Sequence, residues 1–337
     1  MKNKRIFKIT ALIMCSILII GLSSCSCSIK SKEPVTKNAF VLDTVITITL
    51  YGENAKEHID KCIEIANKYD SLLSNNNTNS IIYKINNAEG QFVEVDADTL
   101  DVINQGINFG NISDGTLDIS IGKLTNLWDI KNRTEPPSQE EINNALGFNY
   151  KNIEIDGNKV RLLTEKEQLD LGGIAKGYIA DKMKEYLTSQ GINQGVINLG
   201  GNVVCLDKKN NDEDYKIGIQ RPFDESGTPM CAINVSNKSV VTSGDYQRYF
   251  EYNGKKYHHI IDVKTGYPAD NDLDSVTIIN NSSTAGDALS TIAFLYGLDK
   301  GMSFIESIPD TEAIFITKDG NLHKTSGITD AMLTMVE

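Results

Sequence analysis

The order of hydrophobic periods along the chain constrains its fold more than any other feature. Phe40 to Leu50 is β-rich, with Val45, Ile46, Ile48 and Leu50 set among threonines. Across 53–74 the period changes: Ile59, Cys62, Ile63, Ala66, Tyr69, Leu72 and Leu73 recur as one face of a helix. The run Asn75 to Asn79 breaks that helix as a loop. Ala97 to Ile112 predicts a second helix, ended by the turn Ser113-Asp114-Gly115. Ser138 and Glu141, after Pro136-Pro137, spell a capping box that opens a third. Short strands alternate with turns around 152–163, and Ile174 to Leu187 is helical with Gly191 beyond it. Strand-like runs follow at Val196–Leu199, Tyr215–Gln220, Ala232–Val235, Tyr257–Ile261 and Leu273–Ile279, and Thr284 to Tyr296 is helical again. Helices and strands mix without strict βα alternation. No Pro/Gly linker interrupts them, which predicts one compact α+β domain of mixed helices and antiparallel strands over 39–337.

The N-terminus is of another kind. Lys2, Lys4, Arg5 and Lys8 precede an apolar stretch from Ile9 to Gly21, 13 residues long. A spanning helix needs about 20 residues, so this stretch predicts a secretory leader over 1–24. Leu22-Ser23-Ser24-Cys25 resembles the bacterial lipobox, in which the Cys is acylated and becomes the first residue of the mature chain. An ordinary leader with an incidental Cys is the alternative. Residues 25–38 are polar with one Pro and read as a tether. The expected location is the extracytoplasmic side of the cell membrane, held by the lipid at Cys25 without spanning.

Charge excludes one class of partner. The chain of 337 residues has a net charge of −12, and losing four basic leader residues leaves −16. A nucleic-acid binder needs a basic face, so none is expected. Of the six cysteines, Cys15 leaves with the leader and Cys27, Cys62, Cys205 and Cys231 are widely spaced without a CxxC pair. Core packing is expected for the last three.

Three segments carry chemistry. In Asp170 to Tyr178, a strand is expected to end in Gly172-Gly173 and open a helix. Glycines admit a ligand to the backbone, and free N–H groups at a helix start attract phosphate, with Lys176 adding charge. Taken alone, this segment is more simply a glycine-rich tight turn. In Gly286 to Thr291, Asp287 and Thr291 stand at i and i+4 and share a helix face, with Ser283 or Thr284 as cap. Carboxylate and hydroxyl are hard oxygen ligands suited to Mg²⁺, although Asp287 alone is also a dipole-favoured first-turn residue. In Tyr257 to Pro268, the adjacent His258 and His259 point to opposite faces of a strand, so that one is expected to face a ligand and the other solvent, with a plain surface pair as the alternative. Asn198-Leu199-Gly200-Gly201-Asn202 is a second double-glycine turn, and Thr242-Ser243-Gly244-Asp245-Tyr246 sets hydroxyls at a strand start.

Taken in order, these segments resemble the ApbE family of FAD:protein FMN transferases. The resemblance also covers Leu42-Asp43-Thr44, Ser113 to Ser120, Ala180-Asp181, His259 to Asp262 with Thr265-Gly266, and Asp287-Ala288 with Thr291. It implies a T-fold-like core that takes FAD and Mg²⁺, releases AMP and places FMN on a Thr or Ser hydroxyl. Its implied targets are membrane redox subunits of the Rnf and Nqr kinds. By resemblance, Asp287, Thr291 and a backbone carbonyl near Gly173 hold Mg²⁺. Asp118, Lys176, Ser243, His259 and Asp262 line the FAD site, and Asp287 or His259 is the base. One departure stands out: many members carry a Tyr after the first helix, where this chain has Asn75-Asn76-Asn77. A missing aromatic weakens stacking and leaves room for an FAD pyrophosphatase releasing FMN and AMP. A flavin-binding lipoprotein without catalysis is the alternative from another class.

Overall fold

Eight strands that follow one another along the chain also lie side by side in one sheet. They are β1 (Val35–Val41), β2 (Thr44–Leu50), β3 (Gly195–Leu199), β4 (Asn202–Cys205), β5 (Ser239–Gly244), β6 (Leu273–Asn280), β7 (Glu312–Thr317) and β8 (Leu322–Lys324). Each neighbouring pair is antiparallel. The computed structural model describes residues 33–209, 212–224 and 228–336. Among them Pro34 onward forms one compact unit, as the uninterrupted pattern predicts. The leader, Cys25 and most of the tether lie outside the described residues. The tether ends earlier than expected, because β1 begins at Val35.

Successive side chains of a strand face opposite ways, so the sheet has two buried faces. Val204, Ile278, Ala313 and Phe315 face a layer of helices. Val203, Ile279, Ile314 and Ile316 face a smaller sheet built from Tyr215–Gln220, Pro229–Val235 and Leu333–Met335. This explains the short, almost wholly apolar β4, which alternation could not reveal.

The helices on the first face are α1 (Ala55–Leu73), α2 (Ala97–Ile112), α3 (Ala175–Ser189) and α4 (Ser283–Tyr296). In α1 the predicted stripe is the buried one: Ile59, Cys62, Ala66, Tyr69 and Leu73. Each such fully buried aliphatic side chain contributes about 1.5–3 kcal/mol. Asp96 caps α2 by accepting the N–H groups of Asp98 and Thr99. The capping box of Ser138 and Glu141 forms as the sequence predicts, opening the short helix Gln139–Ala145. Cys62, Cys205 and Cys231 are buried, and burial pushes their thiols up, to about 12, 12 and 11. They are packing residues.

Four local expectations need correcting. The run 40–50 is not one strand but the end of β1, a turn at Leu42-Asp43 and β2. Both turn residues are left-handed, with φ of 59° and 56°. Such two-residue hairpin loops ordinarily carry Asn or Gly, whereas a bulky residue there costs about 1–2 kcal/mol. No strand precedes Gly172-Gly173; Gln168 makes only an isolated bridge to Ile121. Thr242 to Gly244 closes β5 rather than opening a strand. The cap of α4 is Ser282, whose side chain accepts the Ala285 N–H, rather than Ser283 or Thr284. The second double glycine is a turn, as expected. Gly200 and Gly201, φ 64° and 94°, join β3 to β4.

Candidate active site

A cavity of about 730 Å³ opens between the helical layer and the ends of the sheet strands. That volume lies within the range of small-molecule and cofactor sites. The end of α1, the turn Asp170 to Gly173, the start of α3, the end of β5 and one face of α4 all border it.

Its sharpest corner lies where α3 and α4 meet. Gly177 is the third residue of α3, so its N–H has no partner within the helix. Asp287, buried on α4, supplies one: Oδ2 accepts the Gly177 N–H at 2.9 Å. The other oxygen, Oδ1, lies 3.5 Å from Lys176 Nζ. Thr291, one turn along, lies on the same face. Its hydroxyl donates to the Asp287 carbonyl at 3.4 Å and stands 3.3 Å from Ser243 Oγ. Ser243 is in turn 2.8 Å from Ser290 Oγ. The corner thus collects one carboxylate, three hydroxyls and one ammonium.

This donor set fits Mg²⁺. Among the described residues, no group of three or more His, Cys, Asp and Glu side chains gathers to hold a metal. A protein cage for a softer or fully coordinated ion is therefore not formed from them. Mg²⁺ ordinarily takes one or two carboxylates and completes its shell with water and substrate phosphate. Asp287 Oδ1, with only a long lysine contact, has the lone pairs to take part.

The two histidines diverge as expected, but the one turned away from the cavity is buried rather than solvated, because the Ala269 carbonyl and the Phe294 ring enclose it. His258 is buried, with Nε2 2.9 Å from the Ala269 carbonyl and its ring edge-on to Phe294. His259 lines the cavity. Its Nδ1 lies 3.3 Å from the Arg248 carbonyl, which assigns the proton to Nδ1 and leaves the Nε2 lone pair free. Burial lowers its pKa to about 3, helped by the positive Arg248 and by His258 and Lys176. His259 is therefore neutral at neutral pH. Burial also pulls His258 below the usual histidine value. Between about pH 6.5 and 3 the unfolded chain takes up protons that the folded imidazoles refuse, so stability falls as pH drops through that window. Urea midpoints at about pH 7.5 and pH 5 should show the fall, and His259→Asn should shrink it. An unchanged difference in that variant would contradict the assignment.

Of the two carboxylates that the resemblance places in the FAD site besides Asp287, only Asp118 meets the cavity. Asp118 borders the cavity, but both its oxygens are committed to the protein. Oδ1 accepts the Ser120 N–H and hydroxyl at 2.8 and 2.5 Å, and Oδ2 accepts the Tyr150 N–H at 3.0 Å. Burial raises its pKa while those bonds oppose the rise. It shapes the loop that forms the wall. Asp262 is not among the lining residues. Its Oδ1 accepts the Lys264 N–H at 2.8 Å inside a turn, which is an ordinary Asx role. Gly173, Lys176, Ser243, His259, Asp287 and Thr291 do come together at the cavity.

Some lining residues were not anticipated. Asp170 accepts the Gly172 N–H at 2.8 Å and the Thr125 hydroxyl at 2.6 Å, fixing the glycine turn to the helix Gly122–Trp128. Arg248 stands at the foot of the hairpin formed by Tyr249–Tyr252 and Lys255–His258. Trp128 pins that hairpin. Its Nε1 donates to the Gly266 carbonyl at 2.7 Å, and its ring stacks on Tyr257, which stacks on Phe250. A lone Trp in the chain was the available signal.

The profile of the ApbE family matches residues 42–315, most of the chain. The chain belongs to the ApbE family. A relative from Klebsiella pneumoniae, named FAD:protein FMN transferase, is 33% identical over 290 residues, covering 85% of this chain and 90% of its own. Another of that name, from Treponema pallidum, is 29% identical and covers 98% of this chain and 96% of its own. The crystal structure of the ApbE protein of Thermotoga maritima superposes with a TM-score of 0.81 at 29% identity, covering 87% of this chain and 97% of its own. The flavin transferase ApbE from Vibrio cholerae gives 0.77 at 25% identity, with the same coverage. The α+β architecture of antiparallel strands and mixed helices is thus that of ApbE proteins.

Proposed function

We propose that this ApbE-family chain transfers FMN from FAD to a Thr or Ser hydroxyl of a target protein, releasing AMP, with Mg²⁺ required. The observation that carries this is the corner itself: a buried carboxylate gripped by a helix-start N–H, with a lysine and hydroxyls, on the wall of a flavin-sized cavity. The acceptor oxygen attacks the phosphorus on the FMN side. The bond from that phosphorus to the bridging oxygen breaks, and the electron pair leaves with AMP. Lys176 and the N-terminal turn of α3 place positive charge beside the diphosphate. Asp287, Thr291 and a carbonyl of the Gly173 turn would hold Mg²⁺. The ion, when bound, neutralises charge growing on the phosphate oxygens.

His259 Nε2 is the free acceptor for the hydroxyl proton. Its basicity rises when diphosphate offsets Arg248 and Lys176. Asp287 is the less suited base, because its Oδ2 is already engaged. Local positive charge matters more here than the overall −16, which would otherwise repel FAD.

A second activity is favoured by one feature. The loop after α1 presents Asn75 and Asn76 to the cavity, with Asn75 Nδ2 3.4 Å from Asp170. Amides in place of an aromatic ring admit water, which can replace the acceptor hydroxyl and yield free FMN and AMP. The proposed setting is the extracytoplasmic membrane face, with acylation at Cys25 and Rnf- or Nqr-type subunits as targets.

The test incubates the protein with FAD and Mg²⁺, with and without a Thr-bearing acceptor peptide. A fluorescent, FMN-linked peptide supports transfer, FMN and AMP alone support hydrolysis, and unchanged FAD reduces the chain to a binder. FAD binding itself has an internal reporter. Trp128 is the single tryptophan and borders the cavity, so FAD added in EDTA should quench its emission saturably. Unquenched emission at saturating FAD would place the flavin elsewhere.

A further inference from the structure

Asp181 does not line the cavity, yet it holds the helix that does. It sits in the middle of α3 and reaches the first turn of α4. Oδ1 accepts the Ser283 N–H at 2.8 Å. Oδ2 accepts the Thr284 N–H at 2.9 Å and the hydroxyls of Ser282 and Thr284, both at 2.8 Å. One carboxylate thus takes four donors. Asp287 does the converse, reaching from α4 to the Gly177 N–H in the first turn of α3. Each helix lends a carboxylate to the other's start.

The exchange has an electrostatic reason. The N-termini of α3 and α4 converge, because Gly177 lies against Ser283 so closely that an added Cβ would meet its carbonyl oxygen at 2.3 Å. Two helix starts each carry about half a positive charge, and bringing them together is unfavourable. A carboxylate at each start reverses the sign of that interaction. It also satisfies N–H groups that no intrahelical partner can reach. Removing either carboxylate loosens the partner's grip on the other.

We infer that Asp181 is a positioning residue for Asp287: by fixing the first turn of α4 against α3, it sets the direction of the carboxylate that faces the diphosphate corner. This deepens the proposed function and rests on it for its consequence, not for its geometry. A residue of this kind changes how well an ion is held more than how fast the loaded enzyme turns over. Outer partners of metal ligands typically alter affinity about 10–100-fold when removed.

Asp181→Asn is the test, because the amide keeps the size but loses acceptor capacity. Two measurements are made. The first is amide hydrogen exchange on protein free of metal and FAD. Exchange at Ser283 and Thr284 should quicken, and so should exchange at Gly177, whose N–H bonds only Asp287. Quickening at Ser283 and Thr284 with Gly177 unchanged would overturn the inference, since Asp287 would then keep its place unaided. The second is FMN release against Mg²⁺ concentration. The half-saturating Mg²⁺ should rise about 10–100-fold, with the rate at saturation within a few-fold of the parent. A lowered melting temperature with an unchanged Mg²⁺ requirement would mark Asp181 as structural only. If Asp181→Asn does not fold, Thr284→Val removes one of the four donors and should shift Gly177 exchange in the same direction; no shift overturns the inference. If the parent chain shows no Mg²⁺-dependent FAD cleavage, the functional proposal fails, and the exchange measurement still decides the role of Asp181.

Discussion

Replacing Asp287 with alanine is expected to lower FMN release from FAD by at least about 10³-fold while the chain stays folded. Removal of a single preorganised group that stabilises developing charge costs about 10²–10³. Asp287 combines two such duties. In the proposed reaction it would offer the one buried carboxylate of the corner to a cation, and its contacts with the Gly177 N–H and Lys176 would hold both beside the same phosphates. Alanine suits a helix interior, so α4 persists. The Gly177 N–H loses its partner, an unsatisfied buried donor worth about 1–3 kcal/mol. Lys176 is part exposed and can turn to water. The circular dichroism spectrum should therefore be unchanged and the melting temperature only moderately lower. Trp128 quenching should still report FAD binding in EDTA, because the flavin wall is untouched. Wild-type turnover in Asp287→Ala would remove the corner from the chemistry altogether.

What could be read in the sequence was local. Asp287 and Thr291 share a face because four residues nearly complete a helical turn, and that holds before any tertiary contact forms. The stripe of α1 and the bounds of α2 were legible for the same reason. The meeting of Lys176 with Asp287 followed from the family resemblance and from no local pattern, since 111 residues separate them and the fold brings them together. Asp262 entered the site by resemblance alone, whereas the local reading of 262–266 as a turn is what the structure shows, its carboxylate closing an Asx turn outside the lining residues. The Leu42-Asp43 turn was hidden because its left-handed pair lacks the usual Gly or Asn. Both residues border the cavity, which is where backbone strain tends to persist. The helix Gly122–Trp128 spans seven residues, too few for its period to show. It nonetheless supplies Thr125 and Trp128 to the wall.

Gly177→Ala should be the most damaging single methyl group that can be added near the site. Helix propensity alone favours the change by about 1 kcal/mol, so a stabilised protein would be expected if Gly177 were merely a helical residue. Packing decides otherwise. The new Cβ would lie 2.3 Å from the Ser283 carbonyl oxygen, 2.6 Å from its carbon and 2.7 Å from Thr284 Cα. All three are backbone atoms, so no side chain can swing aside, and α3 and α4 must part. Overpacking of this kind costs about 1–3 kcal/mol, occasionally more. Parting the helices also stretches the bonds of Asp181 and Asp287, and each hydrogen bond to a charged group contributes about 1.5–3 kcal/mol. The steric and electrostatic losses together exceed the propensity gain. A net loss of about 3 kcal/mol is expected, lowering the melting temperature by about 5 °C. Turnover should fall about 10²-fold in the fraction that folds, the scale set by a shift of about 1 Å in a positioned group. Calorimetry and FMN release on the same sample check both effects. A Gly177→Ala protein more stable than its parent would mean that the two helix starts do not touch, and the shared corner they build would not exist.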